Sequence, residues 1–228
     1  TDRQKEILAE QFAKYTTHQP AIYTIPVGSL TSLPQNEKRT PFSMITASRL
    51  ATEKHIDWLV RAVVRAKKEL PALSFDIYGK GGEEGKLRSL IDELGAADYI
   101  HLKGHANLEE IYKNYEVYLS ASTSEGFGLT LMEAAGAGLA LLGFDARYGN
   151  PTFIKEGENG YLVLYSGKIP EEELVKELAD KLVQLFNRNL EPFHQASYDL
   201  ASCYLKTKVQ EVWKQMLKEM GQLDRKEM

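Results

Sequence analysis

"FSMITASRLATEKHIDWLVRAVV", residues 42–64, decides the fold. Its first seven residues, FSMITAS, form a short apolar run that suits a strand buried on both faces. Its second half places Ile56, Leu59, Val60, Val63 and Val64 at spacings of three and four, one apolar stripe of a helix with a basic outer face. Between them lies a polar loop, SRLATEK. A buried strand that passes through a short loop into an amphipathic helix is the repeating unit of a parallel sheet wrapped by helices.

The unit recurs along the chain. Strand-like runs follow at LSFDIYG (73–79), YIHLKG (99–104), VYLSAS (117–122), LALLGF (139–144) and GYLVLY (160–165). Leu87, Leu90, Ile91 and Leu94 make the next helical stripe, which stops at the capping residue Gly95. A shorter helix is expected at Leu108–Tyr115, another from Leu129 to about Ala137, and Leu174, Leu178, Leu182 and Leu185 line a further one. Asn159-Gly160 in EGENGY (156–161) predicts a tight turn. Residues 1–16 read as a helix, 17–41 as a Pro-containing linker and 194–220 as one long terminal helix. The fold class is α/β, a Rossmann-like doubly wound parallel sheet over residues 42–193, with extra terminal helices in segments 1–41 and 194–228.

Composition narrows the function classes. The 228 residues are 43% hydrophobic and 26% charged, as in a soluble globular protein. No apolar run approaches the roughly 20 residues a membrane span needs. The opening TDRQKEILAEQF lacks a signal peptide's apolar core and begins at Thr1, which reads as a piece cut from a longer protein. Cys203 is the single cysteine, pointing to a reducing, cytoplasmic setting. A net charge of −4 with dispersed basic residues argues against nucleic acid as a partner. Any phosphate must therefore be held locally.

In such sheets ligands bind beyond the carboxyl ends of the strands. The run VYLSAS leads into STSEGFGLTLMEA (122–134), where Gly126 and Gly128 leave room for a ligand and tolerate positive φ. The amides of Gly128, Leu129 and Thr130 would point out of the helix start, where the dipole favours an anion such as phosphate. Glu133, one turn further on, can accept two hydrogen bonds from a ribose or sugar diol, and Glu125 would reach from the loop toward hydroxyls on the other side. After the first strand, Arg49 can fork onto two phosphate oxygens, and Lys54 adds a point charge at the next helix start, so that no metal is needed. Singly, Glu125 or Glu133 reads as a helix N-terminal acid and Arg49 or Lys54 as part of a solvated face. All four at adjacent strand ends of one sheet favour a binding site.

The loop YGKGGEEGKL (78–87) offers Gly79 and Gly81 as the first two glycines of a dinucleotide fingerprint. Glu84 stands where the third belongs, so a nicotinamide or flavin site is disfavoured. A glycine loop beside a nucleotide and a plain tight turn both remain open. His105, past the third run, could edge a base; a lone histidine is more often structural.

Taken in order, SRLATEK, IYGKGG, KGHANL and the two glutamates of EGFGLTLME resemble the donor-binding, C-terminal half of retaining glycosyltransferases of family 4, which have the GT-B fold. The resemblance runs from about residue 40 to the end. It implies that Arg49 and Lys54 hold the donor diphosphate and that Glu133 holds the ribose. It also implies that Glu125, with the amides from Gly126 through Phe127 and Gly128 to Leu129 and Thr130, addresses the donor sugar and its phosphate. Lys103, Gly104 and His105 would lie along the base, with Gly79 and Gly81 bordering the site. Glu125, Arg49 and Lys54 would then be the catalytic groups, without a metal. The wording "GFDARYGNPTFIKEGENGYLV" (143–163) is most similar to the branch that moves GlcNAc from UDP-GlcNAc to Ser or Thr of serine-rich adhesins in Gram-positive bacteria, beside a companion glycosyltransferase-like subunit.

Transferases for teichoic acid or another glycan, with another UDP-sugar and a polymer acceptor, are the alternative within the family. A non-catalytic glycan- or partner-binding module is the alternative of another class. The resemblance further implies that the acceptor-binding half is absent from this sequence, that segments 1–41 and 194–228 pack near the junction between halves, and that this half alone binds UDP without turnover. Peripheral membrane association is expected only of the full-length enzyme.

Overall fold

The computed structural model describes residues 1–17, 20–34 and 38–223. Residues 18–19 and 35–37 of the expected linker, and 224–228 of the terminal segment, lie outside the described residues.

All six apolar runs become strands: β1 Ser43–Ala47, β2 Ser74–Tyr78, β3 Ile100–Gly104, β4 Val117–Ser120, β5 Ala140–Phe144 and β6 Gly160–Val163. They pair in parallel in the order β3-β2-β1-β4-β5-β6. Strand order reverses between β1 and β4, the switch point where doubly wound sheets take ligands. Burial of every residue of β1, β4 and β5 explains why those runs carry no polar alternation.

Two unequal layers cover the sheet. On one side lie α2 (Ile56–Ala66), α3 (Glu84–Glu93) and α6 (Glu171–Phe186), whose stripes bury Leu59, Val60, Val63, Leu87, Ile91 and Leu178. The other side carries shorter pieces, α4 (Leu129–Gly136) and α5 (Gly149–Phe153), with α7 (Glu191–Ser202) packed on α4. Its core is richer in aromatic rings, among them Tyr78, Tyr112, Tyr118 and Phe153. Helix α7 runs across residue 193.

Two expectations need correction. Leu108–Tyr115 is a string of turns ending in a 3-10 turn at Tyr112–Asn114, because the chain must extend at Tyr115 for its hydroxyl to donate to Asp76 Oδ2 at 2.6 Å. The single helix expected over 194–220 is two, α7 and α8 (Lys206–Leu223). Between them, Leu205 pairs with Leu30 of the linker and the Lys206 N–H donates to the Leu30 carbonyl at 2.9 Å. The tight turn expected in EGENGY forms at 157–159, with Gly157 at φ 76. Gly160 instead opens β6, where a Cβ would come within 1.9 Å of the Leu141 carbonyl oxygen. The buried Asn159 closes the turn by accepting from the Lys155 N–H at 2.7 Å.

At the N-terminus α1 (Asp2–Tyr15) starts at Thr1 with a capping box and buries no residue. Among the described residues no helix is long and apolar enough to cross a membrane.

Candidate active site

The loops after β1 and β4 meet at the switch point. Lys54 ends a 3-10 turn, Thr52–Lys54, instead of starting α2, because the next residue, His55, is left-handed (φ 43) and stacks on Trp58 with ring centroids 3.8 Å apart. This turn aims the Lys54 ammonium across the crevice at Glu125 Oε2, 2.8 Å away. The two side chains are only 17% and 23% exposed, so solvent screens the pair less than a surface one. The backbone fixes both partners: the Thr123 N–H donates to the Glu53 carbonyl (3.4 Å), and the Gly149 N–H donates to the Glu125 carbonyl (2.8 Å). Thr46, Ser48, Ser120, Ser122 and Thr130 join the pair around a small hollow of about 10 Å³.

Helix α4 starts beside this pair. Its N-cap, Gly128, sits at φ 91 and makes no side-chain cap, so the first-turn amides keep their usual attraction for an anion. Gly126 has open space around it, whereas the Phe127 ring packs against Phe153 and only its backbone belongs to the loop. Thr130 lies 2.8 Å from the Tyr118 hydroxyl, which donates to the Ala47 carbonyl at 3.0 Å. Burial pushes the Tyr118 phenol up to about 12, so it stays a proton donor and ties the end of β1 to the start of α4.

Glu133 does not share the hollow of Lys54 and Glu125. It faces a second cavity of about 310 Å³, with Thr31, Ser32, Asn107, Leu108 and Lys206 in its walls. Burial raises its carboxyl above the ordinary carboxylate value. Thr31, Ser32 and Lys206 were invisible to sequence reasoning, since the linker and α8 reach the cavity only through the tertiary fold, whereas Asn107 lies in KGHANL. Arg49 also stands apart from the pair: its side chain is 73% exposed and bonds Glu53 Oε1 at 2.8 Å.

Gly79 and Gly81 act on the loop that carries the cations. A Cβ at Gly79 (φ 141) would lie 1.8 Å from the Ser48 carbonyl oxygen, and one at Gly81 2.1 Å from that of Leu50. Without side chains they let the β2–α3 loop bond the β1 loop directly, Leu50 N–H to the Lys80 carbonyl (3.0 Å) and Glu83 N–H to the Leu50 carbonyl (3.1 Å). Gly104 (φ 71) continues the seam, accepting from the Gly79 N–H at 2.8 Å, and His105 follows it, exposed.

Lys103 turns to Asp76 on β2 (3.8 Å), which also meets His101 Nδ1 (2.8 Å) and the Tyr115 hydroxyl. This cluster escaped notice in the sequence, where the only signal is that Asp76 on β2 and His101 and Lys103 on β3 alternate onto one sheet face. Among the described residues no group of three or more His, Cys, Asp or Glu is placed to hold a metal ion.

The crevice of a reversing, Rossmann-like parallel sheet thus carries a cation after β1, an acid after β4 and an uncapped helix start. Residues 32–189 match the family described as glycosyl transferases group 1, and the chain belongs to that family. It is similar, at 58% identity over 222 residues, to the UDP-N-acetylglucosamine–peptide N-acetylglucosaminyltransferase GtfA subunit of Streptococcus pneumoniae, covering 96% of this chain and 44% of that one. The crystal structure of the pneumococcal O-GlcNAc transferase GtfA in complex with UDP and GlcNAc superimposes with a TM-score of 0.90 over 96% of this chain and 44% of that one. A GtfA/B complex gives 0.91 at 57% identity, with the same coverage of both chains. The chain thus spans less than half the length of these relatives, and its fold is that of one half of a GT-B fold.

Proposed function

We propose that this chain is the donor-binding half of a retaining glycosyltransferase that takes GlcNAc from UDP-GlcNAc and passes it to Ser or Thr of a serine-rich glycoprotein. The observation that carries the reading is the Lys54–Glu125 pair, 2.8 Å across the switch point and beside the uncapped start of α4. An ammonium has three donors, so Lys54 can hold Glu125 and pyrophosphate oxygens together. Arg49, on an exposed and flexible stem, would swing from Glu53 onto the same pyrophosphate. The α4 amides would add to the stabilisation of charge on the departing diphosphate, a term worth several kcal/mol in such sites. Glu133 would take the ribose hydroxyls in its own cavity, with the base along Gly104 and His105, while Glu125 orients the sugar.

No carboxylate here stands as a covalent nucleophile; a front-face route, in which the leaving phosphate assists the acceptor hydroxyl, suits these residues. The chain's own cations make a metal unnecessary, so UDP binding should persist in EDTA. The acceptor would bind to a second half contacted by segments 1–41 and 194–228. A companion subunit, a cytoplasmic setting and peripheral membrane contact of the full-length enzyme belong to the same reading. The 58% identity to a peptide transferase favours a Ser/Thr acceptor over teichoic acid.

Calorimetry of this chain with UDP and UDP-GlcNAc tests the reading. Binding lost in Arg49→Ala and Lys54→Ala supports it; glycan binding with no response to UDP would make the chain a binding module instead. A donor and acceptor screen on the full-length protein decides the substrates.

A further inference from the structure

Arg39 stands in the linker, far along the chain from everything it touches. Its guanidinium donates to the Tyr115 carbonyl at 2.8 Å and the Ala137 carbonyl at 2.9 Å, and it meets the Lys113 carbonyl at 3.4 Å and the Tyr198 hydroxyl at 3.1 Å. That hydroxyl in turn donates to the Pro34 carbonyl at 2.6 Å. Of these partners, Ala137 and Pro34 line the 310 Å³ cavity themselves. Tyr115 ends the segment that supplies Asn107 and Leu108, and Ala137 ends α4, which supplies Glu133.

The connection to Glu133 is short. The Ala137 N–H donates to the Glu133 carbonyl at 3.0 Å, so the guanidinium is tied through one peptide unit to the backbone that carries the acid. A planar fork fixes the spacing of the two carbonyls it binds, and a cation at a helix C-terminus is favoured by the dipole. Helix α4 has only eight residues and no side-chain cap at Gly128, and the guanidinium holds the carbonyl of Ala137, the residue that ends it.

We propose that Arg39 is a positioning residue: by bridging the Tyr115 and Ala137 carbonyls it sets where α4 holds the Glu133 carboxylate across the cavity from Asn107. The proposal rests on the reading of Glu133 as the ribose-holding group. It is tested by calorimetry with UDP on the 228-residue chain and on Arg39→Ala, Arg39→Lys, Glu133→Gln and the paired variants. Arg39→Ala should weaken UDP binding about tenfold, and Arg39→Lys, which keeps the charge without the fork, about threefold. In the Glu133→Gln background the effect of Arg39→Ala should shrink to less than about twofold, because no carboxylate remains to be placed.

A folded Arg39→Ala chain that binds UDP within twofold of the unsubstituted chain overturns the proposal, as does an effect undiminished beside Glu133→Gln, which would mean general loosening. If Arg39→Ala does not fold, the same cycle with Arg39→Lys decides. Failure of the unsubstituted chain to bind UDP would instead strike the functional reading, and this proposal with it.

Discussion

The two layers flanking the sheet are built to different rules. The α2, α3 and α6 side uses long helices with continuous aliphatic stripes and interlocks Leu59, Val63, Leu178 and Leu182 into one cluster. The α4 and α5 side uses short helices, tyrosines whose hydroxyls bond backbone or carboxylate, and glycines at strained angles. One side obtains stability from area removed from water. The other gives up helix length and gathers first-turn amides, a half-buried acid and a partly buried ion pair near the crevice. The lesson is that the scaffold and the site share strands but not helices, and substitutions should separate them.

The largest expected effect is on the scaffold side. Leu59→Ala should destabilise the chain by about 3 kcal/mol through the cavity it leaves, while folded molecules keep their UDP affinity; denaturant melts paired with calorimetry check both halves. A parallel loss of affinity would break the comparison. On the site side, Lys54→Ala should cut UDP affinity at least about tenfold, roughly 1.4 kcal/mol, with a melting temperature nearly unchanged. Gly128→Ala forces a side chain onto φ 91 and should cost about 1 kcal/mol in stability, with a matching loss of UDP binding, measured in the same pair of assays.

The smallest effect concerns pH. Burial makes the Glu133 carboxyl hold its proton more tightly in the folded chain than in the unfolded one, so its ionisation opposes folding. Its contribution is therefore most favourable below the unfolded pKa and is lost as pH rises through the higher folded value. Glu133→Gln should remove that slope and raise the melting temperature at pH 7 by about 2 °C, while weakening UDP binding. A variant that is less stable at pH 7 would contradict this assignment.

Much of this division was legible in the residues. Strands and long helices follow from apolar period alone, since every stripe residue in α2 and α6 packs inward or against the core. The placement of Lys54 and Glu125 in the loops after β1 and β4 was legible from residue type and strand order. Where Glu133 and Arg49 stand relative to them was not. That Glu133 opens to a cavity of its own depends on Thr31, Ser32 and Lys206, brought there by long-range packing. That Arg49 turns outward depends on Glu53 four residues on, an i,i+4 partner that competes for it. The break between α7 and α8 has no local breaker; a backbone pairing to Leu30 imposes it. The glycines of the second loop left a nucleotide-flanking loop and a plain turn both open, and their tightest contacts are with carbonyls of the neighbouring loop.

That pairing of Leu30 with Leu205 has a mechanical consequence. The polypeptide enters and leaves the sheet domain side by side, so tension applied to its two ends pulls on this one clasp before any strand feels load. An optical trap should record a small early yield when the Lys206–Leu30 contact lets go, followed by the larger rip of the sheet.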